Sequence, residues 1–370
     1  MIKGLLFIFI NIFSSVLLSQ GIFPKNHPLH LSTSINRTDS LDSEQVFCFQ
    51  SLDSLIKHEL YLLKSKDGLP KLYYADIYTP VCIDELCKPI HIEIYWDLLG
   101  RYAGFGIYPE NVLTKFDHDE FESQDYVKLH QLLLDDNSVL KRRKLSDLYD
   151  ANLERDRTIK FKNVEVDAIS GATRKEVKNS IVDGALYTCY TLYNIIYGKA
   201  ADKIRQRLPK IYSESLAQHF LQSENEYYNR YAIRSLQKGL FADNLSSLIT
   251  IFKKASPLLR SYILKKMPKE LFLDSRVVNE IFHSFSELDN NSKTLLIHNL
   301  KYSSSEAALL LTSLISHMSK NQLIKYLAYV ENIEGQNVEK IICQLQIYSE
   351  RENNTNTYFV NQFLEKHGKR

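Results

Sequence analysis

The sequence lacks a dominant charge. Lys+Arg 46 and Asp+Glu 44 nearly cancel over 370 residues, so no global field points to nucleic acid or to an acidic partner. Patterns of the commonest catalytic classes are missing too. There is no G-x-S-x-G, no H-E-x-x-H and no G-x-x-x-x-G-K-[ST], which removes the simplest hydrolase, zinc-protease and nucleotide-binding readings. The absence of C-x-x-C-H excludes c-type haem attachment. Tryptophan (1) and methionine (3) are scarce, but tyrosine (23) and phenylalanine (18) are plentiful, a composition of folded rather than disordered chains.

No segment after the first 21 residues is apolar enough to cross a bilayer. The start, "MIKGLLFIFINIFSSVLLSQG", places Lys3 before an apolar stretch from Gly4 to Leu18, followed by the small-x-small run Ser19-Gln20-Gly21. This reads as a cleaved signal peptide. The alternative is a membrane anchor, but the stretch is shorter than the roughly 20 residues a span needs. The expectation is an exported chain, periplasmic or extracellular, whose mature form does not span the membrane. Five cysteines remain: Cys48, Cys82, Cys87, Cys189 and Cys343. In an oxidising compartment Cys82 and Cys87 could close a small loop, or they are two buried thiols; an odd total leaves one unpaired in any monomer.

Residues 22–45 show no sustained period and read as an extended leader. Residues 46–200 mix strands and helices. In "PIHIEIYWDLL", Ile92, Ile94, Trp96 and Leu98 face one way and His91, Glu93, Tyr95 and Asp97 the other, the pattern of a half-buried strand. Leu99-Gly100-Arg101 turns the chain into "YAGFGIY". Phe121, Tyr126, Leu129, Leu132 and Leu133 fall on helical spacing. "TIKFKNVEVDA" reads as another strand. After it, Val177, Ile181, Ala185, Leu186, Cys189, Leu192 and Ile196 form one helical stripe, stopped by Gly198. Residues 201–370 carry apolar stripes of helical length separated by Ser, Asn, Asp or Pro, which predicts stacked helix pairs with an irregular period. The expected fold class is an α+β domain followed by an all-α, solenoid-like domain.

The junction between strand and stripe is "DAISGAT": Asp167, Ser170, Gly171, Ala172 and Thr173. A helix N-terminus presents unpartnered N–H groups and partial positive charge, so a phosphate fits there. Gly171 permits close approach, and Arg174 and Lys175 add cationic charge. The structural alternative is a capping box, Thr173-x-x-Glu176, with Ser-Gly-Ala as its entry turn.

The longer pattern Asp-x-x-(Ser/Thr)-Gly-Ala-(Thr/Ser) resembles the FMN-binding domains of the C subunit of the Na⁺-translocating NADH:quinone oxidoreductase and of the G subunit of the Rnf complex. In that family a flavin transferase uses FAD and Mg²⁺ to join FMN through its phosphate to the last threonine. The resemblance implies an exported electron-transfer flavoprotein with covalent FMN on Thr173. Asp167 and Ser170 would help the transferase engage, and Gly171 and Ala172 would leave room for the phosphate. It implies two partners, the transferase and a redox protein that the residues do not identify. The resemblance covers the motif and its flanks and none of the helical region. Lys175 stands where the family has a hydroxylated residue, and the family's Glu-Thr-Pro-Gly stretch is absent. The competing class is an extracytoplasmic interaction scaffold without cofactor.

Weaker constellations have simpler readings. Trp96 and Tyr95 are ring-stacking candidates, but a sole tryptophan on an apolar strand face belongs more simply in a core. Asp117, His118, Asp119 and Glu120 are adjacent and diverge on a helix, which favours a solvated loop over a cation site. His91, Glu93 and Asp97 invite an acid–base reading that an exposed strand face matches equally. "KRRK" at 141–144 reads as a helix C-terminus.

Overall fold

Period-2 alternation between Asp42 and Ile107 builds a sheet, and among the described residues beyond Ser213 every element is helical. A computed structural model of the protein describes residues 29–31, 41–50, 56–81, 88–115, 118–142, 181–334, 337–352 and 354–367. The chain divides into two units, Met1–Tyr212 and Ser213–Arg370. The first is α+β and the second all-α.

Among the described residues of the first unit six antiparallel strands, β1 (Leu29–Leu31), β2 (Asp42–Gln50), β3 (Lys57–Lys64), β4 (Pro70–Thr79), β5 (Ile90–Trp96) and β6 (Tyr102–Ile107), lie in the order β1-β6-β5-β4-β3-β2. Five are a meander in chain order. β1, within the stretch read as a leader, pairs with β6. The β5–β6 turn forms at Leu99-Gly100 as expected: Gly100 has φ +71, and the Asp97 carboxylate accepts from the Leu99 and Arg101 amides at 2.9 and 2.8 Å.

One sheet face is apolar. Leu60, Leu62, Ala75, Ile77, Ile92, Ile94, Trp96 and Phe105 are all buried. Two helices cover it. α1 (Ser123–Leu134) turns Tyr126, Leu129, Leu132 and Leu133 inward as their spacing predicts, whereas Phe121, placed on the same stripe, is buried ahead of the helix, before its N-cap Glu122. α2 (Leu186–Tyr197) is fixed to β5 by the Trp96 indole, whose Nε1 donates to the Ile196 carbonyl at 2.9 Å. α3 (Lys199–Ile211) guards the free edge of β2. Lys203 Nζ donates to the Cys48 carbonyl at 2.6 Å and lies over the Phe47 ring, and Arg207 pairs with Glu44. Charged cover of this kind blunts an edge strand's capacity to pair with another chain.

β5 departs from the half-buried pattern. Glu93, Tyr95 and Asp97 are buried along with the apolar side, and only His91 is partly exposed. Alternation reports which residues share a face, not whether that face is covered.

The second unit stacks five hairpins in two layers. The first helices are α4 (Glu214–Gln222), α6 (Leu245–Lys254), the tightened segment Val277–Glu287, α9 (Ser305–Thr312) and α11 (Val338–Arg351). The second helices are α5 (Glu226–Ser235), α7 (Pro257–Lys266), α8 (Asn290–Asn299), α10 (Lys320–Val330) and α12 (Thr355–His367). Each helix packs on the like helix of the next hairpin. The period is carried by caps. Asn225, Ser256, Asp289, Ser319 and Asn354 each bind backbone N–H groups of the second helix they precede, at intervals of about 30–35 residues. Phe220, Phe252, Phe285 and Ile315, all buried, recur just ahead of the first four of these caps. Asp289 accepts from the amides of both Asn291 and Ser292 at 3.0 Å. Asp289→Ala is expected to lower stability by about 1 kcal/mol, read by urea unfolding at 222 nm, whereas Asp289→Ser retains most of it.

Candidate functional site

The candidate attachment residues Asp167, Ser170, Gly171, Ala172 and Thr173 lie outside the described residues, as does the strand read just before them. The downstream flank is described from Ile181. Val177, the first residue of the expected helical stripe, lies outside the described residues; from Ile181 onward the stripe is helical only from Leu186, where α2 starts, and Asp183-Gly184 forms a turn. The cause is Gly184, at φ +75, a conformation that interrupts a helical run. Ile181 and Val182 are buried, and the Ala185 amide closes the turn on the Val182 carbonyl at 3.0 Å.

Several contacts hold α2 in place. Thr188 Oγ1 donates to the Thr114 carbonyl at 3.5 Å and Tyr197 Oη to the Leu133 carbonyl at 2.6 Å, besides the Trp96 bond. Cys189 is fully buried within it, and burial pushes its thiol up to about 12, so it is a packing residue and not a nucleophile. Helix α2 is therefore anchored on the sheet unit.

The second sheet face gathers rings and acids. Tyr61, Tyr74 and Tyr95 are register partners on β3, β4 and β5, stacked with centroids 5.2 and 6.0 Å apart. One pair further along, Asp76 and Glu93 stand directly opposite, an arrangement of like charges that needs compensation. The compensation comes from hydrogen-bond donors. Tyr95 and Tyr108 donate to the two Glu93 oxygens at 2.8 and 3.3 Å, while His91 Nε2 lies 3.0 Å from Asp76 Oδ1 and its ring stacks on Tyr108 at 4.0 Å. Burial, then the Glu93 charge, raises the Tyr95 and Tyr108 phenols well above their ordinary range. Tyr61 is pushed up to about 12, chiefly by its bond to Glu59. These phenols remain donors at any physiological pH.

Of the acid–base trio, the fold brings His91 and Glu93 into one network and leaves Asp97 in the β5–β6 turn. Asp76 and Tyr108 complete the network and were not singled out by the sequence. Their signal was available: Tyr74-x-Asp76-x-Tyr78 on β4 mirrors His91-x-Glu93-x-Tyr95 on β5. Trp96 and Tyr95, the ring-stacking candidates, are both fully buried, so they are core residues.

His118, Asp119 and Glu120 form a loop closed by the Lys115 amide on the Asp119 carbonyl at 2.7 Å; Asp117 lies outside the described residues. Among the described residues no three His, Cys, Asp or Glu side chains converge as a metal site would require. Lys141 and Arg142 of the basic cluster end a 3-10 turn, Val139–Arg142; Arg143 and Lys144 lie outside the description, as do Cys82 and Cys87. Cys48, Cys189 and Cys343 are free thiols.

The described geometry defines a class: a meander sheet backed by helices, followed by stacked helical hairpins, with no helix among the described residues long and apolar enough to cross a membrane. No protein-family model, curated protein or solved structure matches this chain.

Proposed function

We propose that this protein is an exported flavoprotein that carries FMN covalently on Thr173 and relays electrons outside the cytoplasm to a partner protein. The observation that carries the reading is the run Asp167-Ala-Ile-Ser170-Gly171-Ala172-Thr173, with its threonine in the position the flavin transferase esterifies in the resembling family. In maturation the Thr173 hydroxyl oxygen forms an ester to the FMN phosphorus of FAD. The pyrophosphate bond breaks, AMP leaves, and the hydroxyl proton passes to solvent. The chain's own contribution is position: Asp167 and Ser170 engage the transferase, and Gly171 and Ala172 keep the phosphate environment open. The attached isoalloxazine supplies the redox chemistry.

Anchored footing supports the reading. A cofactor tethered a short way before Ile181 hangs from a segment that Val182, Thr188, Trp96 and Tyr197 fix to the sheet. The leading segment, with Lys3 and its apolar stretch, supports export to the compartment where such carriers work. Intact mass of protein exported in the presence of a flavin transferase is the test. A gain of about 438 Da over the processed chain is expected for one esterified FMN, and an unmodified mass would refute the assignment.

A further inference from the structure

We propose that the turns linking successive hairpins form a docking ridge for an acidic, leucine-bearing segment of a partner protein. Three consecutive turns, from each second helix to the next first helix, are stitched side by side. Lys238 on the first pairs with Glu270 on the second at 3.1 Å. Ser303 on the third donates to the Phe272 carbonyl of the second at 2.8 Å, and Lys269 lies 4.6 Å over the Tyr302 ring, with Lys301 5.0 Å over it.

Two of these turns repeat one device. Each buries a phenylalanine, Phe241 or Phe272, and turns the neighbouring leucine outward: Leu240 is 46% exposed and Leu273 64%. Hairpin stacking covers the inward rings and leaves much of each outward leucine in solvent. Between the two turns lies a shallow groove of about 300 Å³ lined by Lys238, Gly239, Ala242, Pro268, Glu270 and Leu271. A Cβ on Gly239 would meet nothing within 4 Å, so that glycine is not there to relieve crowding.

Charge selects the occupant. Arg234, Lys238, Lys265, Lys266, Lys269 and Lys301 stand in or beside these turns, against Asp243, Glu270 and Glu306, while Arg276 and Asp274 neutralise each other at 2.8 Å. The surplus is cationic, so carboxylates complement it. The concave apolar floor takes a side chain, which a flat bilayer does not supply.

The test uses the full chain labelled with ¹³C at leucine and alanine methyls, and a fluorescent synthetic peptide carrying two leucines four residues apart among glutamates. Binding is expected by anisotropy, with shifts at Ala242, Leu240, Leu271 and Leu273. About tenfold weakening is expected for Leu273→Ser, for Lys269→Glu and for the peptide with Glu→Gln throughout. No binding, equal binding by the variants, or shifts elsewhere would overturn the proposal. So would sedimentation of the chain with phosphatidylglycerol vesicles that the same variants abolish. Both substitutions are at exposed positions, and unchanged far-ultraviolet spectra establish folding. The inference stands apart from flavin attachment: this assay reads the helical unit and the mass assay reads Thr173, so either can fail alone.

Discussion

Thr173→Val is expected to yield exported protein with no attached flavin, against stoichiometric attachment in the parent. The ester requires the hydroxyl oxygen, and valine keeps the size and branching of threonine while removing that atom. The readout is flavin fluorescence of the denatured band in a gel, with intact mass as the count, in cells that supply export and a flavin transferase. Thr173→Ser retains a hydroxyl and is expected to retain attachment. If Thr173 also caps a helix, valine loses about 1 kcal/mol there, too little to unfold a domain of ordinary stability. Emission of Trp96, the sole tryptophan, separates loss of attachment from loss of fold. Covalent fluorescence persisting in the valine variant would place the ester elsewhere and end the assignment.

Asp97→Asn is expected to stabilise the first unit by about 2–3 kcal/mol at pH 7.5 and to change little at pH 4. Asp97 is 4% exposed, and burial pushes its carboxyl up to about 6 against the pull of the Arg101 and Leu99 amides. The folded chain therefore keeps this proton to higher pH than the unfolded chain, whose carboxyl ionises near pH 4. Stability from this group is fully present below about pH 4 and is lost as pH rises through about 6. Asparagine preserves an oxygen for the Leu99 and Arg101 amides and removes the buried charge. Urea titrations followed by Trp96 emission at several pH values are the measurement. Parallel pH dependences for the parent and the variant would show that Asp97 ionises in the fold without penalty.

The elements that periodicity reveals are those whose one covered face is enough to define them. Tyr126, Leu129, Leu132 and Leu133 announced α1, and the stripes after Ser213 announced helix pairs. What escaped depends on partners distant in sequence. Glu93 looks like an exposed strand residue until Tyr95 and Tyr108 are seen donating to it. The break at Gly184 escaped because apolar spacing continues through the turn: Ile181, Val182, Ala185 and Leu186 are all buried, although a positive φ stands between them. The hairpin period escaped because its caps are of different kinds, Asn, Ser and Asp, and the buried residue ahead of them, Phe220, Phe252, Phe285 or Ile315, lies among many other apolar residues of the stripes. The proposed attachment motif is the reverse case: the proposal draws on seven local residues, Asp167 to Thr173, which lie outside the described residues, and not on a surrounding pocket.

The layering of the hairpins has a mechanical corollary. Because each pair of helices leans on its neighbours, α11 and α12 have, among the described residues, the companions α9 and α10 on one flank only. Loosening should begin there and travel inward pair by pair. Amide exchange would then be fastest beyond Val338 and slowest in the middle of the row, a gradient laid down by position and not by composition.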